Sequence, residues 1–589
     1  MEGWYKHNEI HEVSHNFLPL QEANKHMKKA VLLFIAFLSI LNVEAQPYKY
    51  WIEFTDKNGS PYTIGNPSAY LSARAIARRT KYGIPVKLND LPPNPNYVDS
   101  VIAKGVKLLN RSRWFNAISI YAADTTKLAS IRALSFVKHG TLVTIVGRKK
   151  IVSNSNNYAR ARSGFREGID AQSRISVVDT FNSGSAYNQE HMIGVDCINN
   201  MGFRGKGYQI AQIDARFGVA NTLPAFDSLY NRGGVLGTWD FVWEDPNVYD
   251  DTNNTDNHGQ MVLGCMVGNL PGSYMGDAAD ADFYLLRTED VASEHRLEDD
   301  NWTSGAEYAD SAGADVITSS LGYTTFDEGF DSYTYADMNG RVAVASQAAT
   351  IASEKGLVVC VAAGNLGGSG WQYISSPGDA DSILTVGAVD ASGNYAFFSS
   401  TGPTSDHRVK PDVAAQGLNS ALISPGGGVG TGSGTSFATP IMAGAVASLW
   451  SANPTVSNFE LMSAVKQSAS QYATPDSLEG YGIPNFCIAN VLLHSLSSPT
   501  QTPVTILNKV YPNPFNNSVT VEFYSSLKQE VTVSLFNSIG QTVYKKSLTV
   551  AANGNTLIDI DGLSGLPQGV YLVTVADATG MMYTSKIVK

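Results

Sequence analysis

Four residue types stand where apolar segments end, and each has a chemical use. Ser436, in Gly434-Thr435-Ser436-Phe437-Ala438-Thr439-Pro440, opens a run from Ile441 to Trp450 whose Ala, Met and Leu content favours a helix. The partial positive charge and free N–H groups of a helix start suit a nucleophile whose attack creates an oxyanion. A serine there is ordinarily a simple N-cap, so the reading depends on what accompanies it. Asn257-His258-Gly259 begins a second apolar helix, Gln260 to Val267, and places an imidazole at a strand–helix junction. Strand Gln209 to Ile213 ends in Asp214, a charge costly to bury unless a partner holds it. Val361-Ala362-Ala363-Gly364-Asn365 ends a buried strand in a carboxamide, a donor for developing negative charge.

These residues need a scaffold that brings distant segments together. From about Tyr187 to Ser495, short buried strands (Gln209 to Ile213, Asp315 to Thr318, Leu357 to Ala362) alternate with helical stretches. That pattern predicts a parallel sheet covered by helices, with chemistry at the carboxyl ends of the strands. Residues 46–150 read as a small α+β unit: Tyr48, Tyr50, Ile52 and Phe54 alternate as a strand, Ala69 to Lys81 and Tyr97 to Lys104 as helices, Phe115 to Ala122 and Leu142 to Val146 as strands. Residues 151–185, rich in Ser, Asn, Arg and Gly, read as an exposed, cleavable linker, and 496–508 as a second linker. Residues 509–589 show alternating strands such as Val519-Val521-Phe523 and no helix pattern, which predicts a β-sandwich of about 80 residues.

Composition excludes several classes. The 589 residues exceed one ordinary domain, 43% are hydrophobic and 16% charged, and the formal net charge is -11. A disordered chain and a multi-span channel are excluded, and nucleic acid is no expected partner. Four cysteines show no metal-ligand spacing; they read as small buried side chains with room for one or two bridges. Lys28 and Lys29 precede an apolar run from Ala30 to Leu41, and Val43-Glu44-Ala45 supplies a cleavage site. This is the layout of a secretory signal over 27–45, too short to span a bilayer at ~20 residues. Residues 1–26 read as a non-native extension before a true start at Met27.

Asp214, His258, Asn365 and Ser436, in that order, resemble the subtilisin-like serine proteases, whose triad order is a standard example. Gly205-Lys206-Gly207, Ser319-Ser320-Leu321-Gly322, Phe398-Ser399-Ser400-Thr401-Gly402-Pro403 and Lys410-Pro411-Asp412-Val413-Ala414-Ala415 extend the likeness over 186–495. It implies an α/β parallel-sheet catalytic domain with helices on both faces, Ser436 as nucleophile, His258 as general base, Asp214 as orienting carboxylate, and Asn365 with the Ser436 N–H as oxyanion hole. By the same resemblance Ser319, Ser320, Leu321 and Gly322 line one side of an extended peptide, and Ala362, Ala363 and Gly364 the other. These small residues leave room for a large apolar side chain, with the residue at the pocket base deciding the outcome.

Two departures stand out. The family has Ser or Thr and then Gly after the Asp, where this chain has Ala215 and Arg216, and a guanidinium paired with Asp214 would compete with His258. Gln260 and Met261 replace the usual Thr and His of the His helix. The acidic residues Glu244, Asp245, Asp250, Asp251 and Asp256 suggest at most a structural calcium; irregular spacing makes a solvated loop the expected reading, with no cofactor and no metal site.

The flanks imply an exported zymogen. The block 46–150 resembles, in size and element order, the propeptides that chaperone and inhibit these enzymes. Tyr511-Pro512-Asn513-Pro514-Phe515, Gly540-Gln541, Leu566-Pro567-Gln568-Gly569-Val570-Tyr571 and Lys586-Ile587-Val588-Lys589 resemble type IX secretion sorting domains. The expected product is a secreted or surface endopeptidase acting on protein or peptide substrates, with its own propeptide as inhibitor and the outer-membrane secretion machinery as partner. The alternative is a catalytically weak subtilisin-fold protein that binds peptides or serves surface adhesion.

Overall fold

The computed structural model describes residues 48–138, 145–146, 166–167, 182–249, 256–327, 332–496, 505–525, 528–551, 554–577 and 582–589. The signal segment 27–45, the extension 1–26 and most of the linker 151–185 lie outside the described residues.

The N-terminal unit comprises β1 (Tyr48–Glu53), α1 (Ala73–Lys81), α2 (Pro95–Ile102), β2 (Lys107–Ser112), β3 (Ala117–Ala122), α3 (Lys127–Arg132) and β4 (Ile145–Val146). Its strands form one antiparallel sheet in the order β2-β3-β1-β4. Ser72 caps α1 through its hydroxyl, and Pro95 opens α2 where a missing N–H costs nothing. The expected helix from Ala69 therefore begins at Ala73, after the cap. Ile52, Phe54, Val98, Val101, Ile118 and Ile120 form its core.

The central unit runs through β5 (Arg166–Glu167), α4 (Tyr187–Ile193), α5 (Val195–Asn200), β6 (Gln209–Asp214), α6 (Asp227–Asn231), β7 (Val235–Asp240), α7 (His258–Val267), β8 (Asn269–Leu270), β9 (Tyr274–Met275), β10 (Asp282–Arg287), α8 (Leu297–Ala312), β11 (Val316–Ser319), α9 (Val344–Glu354), β12 (Val358–Ala362), β13 (Leu384–Val389), β14 (Val413–Gln416), β15 (Ser420–Ile423), β16 (Val429–Gly432), α10 (Thr435–Ala452), α11 (Asn458–Gln467) and α12 (Phe486–Leu496). Seven strands form a parallel sheet in the order β14-β13-β12-β11-β6-β10-β7. Side chains alternate along each strand. Ile210, Val358 and Cys360 join the core beneath α7 and α10, whereas Ala211, Ile213, Val359 and Val361 join the core beneath α8 and α9. The same alternation turns Gln212 and Asp214 toward α7. A disulfide, Cys197–Cys487, ties α5 to α12, while Cys265 and Cys360 are buried thiols.

The boundaries differ from expectation at two edges. Ser183 and Ser185 already pair with the β8–β9 hairpin, so the end of the expected linker belongs to the central unit. The second linker is shortened by β17 (Thr505–Tyr511), which starts inside it. With β18 (Val519–Ser525), β19 (Gln529–Asn537), β20 (Thr542–Val550), β21 (Gly554–Ile560), β22 (Val570–Ala576) and β23 (Met582–Val588), β17 builds two antiparallel sheets around Val519, Val521, Phe523, Val533, Leu535, Val573 and Val575. Among the described residues no helix is long and apolar enough to cross a membrane.

Candidate active site

Register sets the site. Ser319 on β11 lies beside Ile213 on β6 and Val361 on β12, so the carboxyl ends of three adjacent strands finish at one edge. Asp214 ends β6 there and is fully buried. Its Oδ1 accepts the Ala215 N–H at 2.8 Å and lies 2.6 Å from His258 Nδ1, while its Oδ2 accepts Gln212 Nε2 at 3.1 Å. His258 is the first residue of α7, its own N–H bonded to Asp256 Oδ1 at 2.8 Å. The ring nitrogen that meets the carboxylate is thus Nδ1. Gly259 is required by packing: a Cβ would come within 3.0 Å of the Ala215 and Arg216 carbonyl oxygens.

Ser436 is the second residue of α10 and is 8% exposed. The helix starts at Thr435 and continues through Pro440. Pro440 has no N–H for the Ser436 carbonyl four residues back, and the Ser320 hydroxyl donates to that carbonyl instead at 2.8 Å. The Ser436 hydroxyl in turn reaches the Ser320 carbonyl at 3.4 Å. The ring of Phe437, next in sequence, lies 6.2 Å from the His258 ring, which brings α7 and the start of α10 together.

Asn365 completes the edge. Its Oδ1 accepts from the Thr435 N–H at 2.8 Å and the Thr435 hydroxyl at 3.1 Å. Both bonds fall on the amide oxygen, which turns the Nδ2 donor away from Thr435. Thr435 was not singled out from the sequence; its position directly before Ser436 was the available signal.

The two proposed pocket walls differ in accessibility. Ser319 is wholly buried and its hydroxyl accepts from Trp302 Nε1 at 2.8 Å, so its side chain belongs to the core beneath α8. Ser320, Leu321 and Gly322 continue past it, while Ala362 and Ala363 are buried and Gly364, next to Asn365, is half-buried. The segment Ile374–Pro377 joins the walls: the Ser375 N–H donates to Ala363 O at 3.3 Å and the Tyr323 N–H to Ser376 O at 2.7 Å. A Cβ on Gly322 would collide with the Ser375 hydroxyl, and one on Gly364 would meet it at 3.0 Å. That hydroxyl is buried and makes no hydrogen bond.

Arg216 does not take Asp214. Its Nε donates to Tyr249 O at 2.8 Å and its Nη1 reaches Asp256 O and Asn257 Oδ1 at 3.5 Å. The expected competition with His258 is thus corrected, because the guanidinium holds the segment leading into α7. Of the acidic residues considered for calcium, Glu244 pairs with Lys107 at 3.0 Å, Asp245 caps the Asn247 N–H and Asp256 caps His258; 250 and 251 lie outside the described residues. Gln260, where the family has Thr, donates to Ile423 O at 3.0 Å, and Met261 joins the core.

Residues 173–482 match the profile of the Subtilase family, 49–160 the Peptidase S8 propeptide domain of Bacteroidota, and 509–589 the Secretion system C-terminal sorting domain. Subtilisin E of Bacillus subtilis (strain 168) is 31% identical over 280 residues, covering 47% of this chain and 64% of that protein. Subtilisin of Bacillus pumilus is 30% identical over 296 residues, covering 50% of this chain and 94% of that protein. Serine protease AprX of Bacillus subtilis (strain 168) is 29% identical over 312 residues, covering 49% and 67%. The chain thus spans under two thirds of the length of Subtilisin E.

Proposed function

Because the chain belongs to the subtilase family and carries an S8 propeptide and a secretion sorting domain, we propose that it is an exported serine endopeptidase made as a zymogen. The observation that carries this is the 2.6 Å contact between His258 Nδ1 and Asp214 Oδ1 at the strand edge where Ser436 and Asn365 also end. His258 Nε2 takes the proton of the Ser436 hydroxyl as Oγ bonds to the substrate carbonyl carbon, and the C=O electron pair moves onto oxygen. Asp214 fixes the tautomer and stabilises the imidazolium. Asn365 Nδ2 and the Ser436 N–H, whose helix-start position leaves it without an i−4 partner, bind the oxyanion. The imidazolium then protonates the leaving amine, and water repeats the sequence on the acyl-enzyme. This chemistry needs no cofactor, and any calcium has a structural role only.

The peptide lies between Ser320–Gly322 and Ala362–Gly364 by strand addition. A hydroxyl wedged between Gly322 and Gly364 shortens the space a substrate side chain can fill, so the reading here favours a small residue before the scissile bond, in place of the large apolar one that the wall residues alone suggest. The N-terminal unit acts as inhibitor, docked on α8, and the C-terminal sandwich engages the outer-membrane secretion machinery. The adhesion reading draws no support from the site. The peptide-binding reading rested on Arg216, which is engaged elsewhere. Digestion of an unfolded protein substrate by the processed wild type, abolished in Ser436→Ala and in His258→Ala, is the expected outcome; equal digestion by Ser436→Ala would overturn the proposal.

A further inference from the structure

We propose that Gln212 is a positioning residue that locks the Asp214–His258 pair, taking over the work of the hydroxyl that Ala215 lacks. The inference rests on the protease reading above for its kinetic consequence, though not for the geometry.

Gln212 is fully buried in β6, among Ile210, Ala211 and Ile213. Strand alternation puts it on the face of Asp214 and beneath α7. Its amide nitrogen makes two bonds, to Asp214 Oδ2 at 3.1 Å and to the Gly259 carbonyl at 2.8 Å. Among the described residues it is the one donor on Oδ2, since Ala215 and His258 both address Oδ1. One side chain therefore fixes the rotation of the carboxylate and also the register between the strand that carries Asp214 and the first turn of the helix that carries His258. Its Oε1 is left buried without a partner. An orphan amide oxygen in an apolar strand is costly, and an aliphatic residue of the same length would avoid that cost. A function in aligning the pair gives the residue a reason to be there.

The test uses the full processed protein with two substitutions. Gln212→Met keeps the length and removes both N–H groups. Gln212→Glu keeps the size and puts an ionisable group against Oδ2. With wild type as reference, kcat and KM are measured across pH on a peptide substrate. The His258 titration and its Nδ1–H proton signal are followed by NMR in a Ser436→Ala background, which reads the pair whether or not the protein cleaves anything. Gln212→Met should lower kcat by up to about 100-fold, the cost of a slightly misplaced catalytic group, with little change in KM. Its His258 midpoint should move to lower pH as the loosened carboxylate supports the imidazolium less. Gln212→Glu should keep more activity on the acid side, where the introduced carboxyl still donates a proton to Oδ2, and lose it as that carboxyl ionises. Adding Ala215→Ser to Gln212→Met should recover part of kcat. Wild-type kcat and an unmoved His258 titration in folded Gln212→Met would overturn the inference; should that variant fail to fold, the same two readouts on Gln212→Glu decide it. A shifted titration in a protein whose wild type cleaves nothing would sink the protease reading and leave this one standing.

Discussion

Arg79 of the N-terminal unit lies 2.8 Å from Asp310 on α8 of the central unit, with both side chains essentially excluded from water. Arg78 reaches the same carboxylate at 2.6 Å and Arg113 at 2.9 Å. Asp90 lies 2.9 Å from both Arg79 and Lys355. Around this hub, Ser112 and the Arg113 and Trp114 N–H groups bond Glu307, Ser119 bonds Asp300 and Asn110 bonds Asn301. Buried polar groups thus tie the propeptide to α8, alongside Trp114, which joins the core with Trp302 and Ala306.

Breaking that hub should be expensive. Asp310→Ala leaves three buried guanidinium groups facing one another, and removing one partner of a buried pair costs about 3–5 kcal/mol. Size-exclusion chromatography of processed protein should show the propeptide co-eluting with wild type and separating from Asp310→Ala.

Docking should also weaken as pH rises. Burial pushes the Asp300 carboxyl well above the usual carboxylate range, and burial pushes Glu307 up against the opposing pull of Arg113. Acids with raised values favour the docked state fully below their ordinary range near pH 4. They lose that contribution as pH climbs through the raised values. The dissociation constant of the propeptide, measured by titration calorimetry, should be smaller at pH 5 than at pH 8.

Ser375→Gly should widen substrate choice. With the hydroxyl between Gly322 and Gly364 removed, kcat/KM for peptides with Phe or Leu before the scissile bond should rise relative to those with Ala, by about tenfold for a few added methylenes. A competitive peptide-library digest measures the ratio directly.

Asn365→Ala should lower kcat by about 100- to 1,000-fold with KM little changed. That range is the known cost of one oxyanion-hole donor in a subtilisin and is carried over from there. Steady-state kinetics on a peptide ester and a peptide amide would check it.

Much of this was legible in the chain. Asp214 closes and Asn365 follows an apolar strand, His258 and Ser436 each open an apolar helix, and a parallel sheet buried on both faces writes itself as apolar runs, as Val358–Ala362 does. Long-range polar partners were not legible. Gln212 looks like an exception within a buried strand until β6 is set beneath α7. Asp300, Glu307 and Asp310 of α8 are buried against Ser119, Ser112, Arg78, Arg79 and Arg113 of a separate unit, which no local pattern announces. Ser436 is expected at the helix start, but the partner that lets α10 run through Pro440, the Ser320 hydroxyl on the Ser436 carbonyl, was not legible. The pairing of Cys197 with Cys487, 290 residues apart, leaves no local trace.

The central claim is that Ser436 is an activated nucleophile. Processed protein treated with a fluorophosphonate probe and mapped by mass spectrometry should carry a single adduct on Ser436, absent from Ser436→Ala and strongly slowed in His258→Ala. No adduct on properly processed wild type, or an adduct on another residue that persists in Ser436→Ala, would contradict the account.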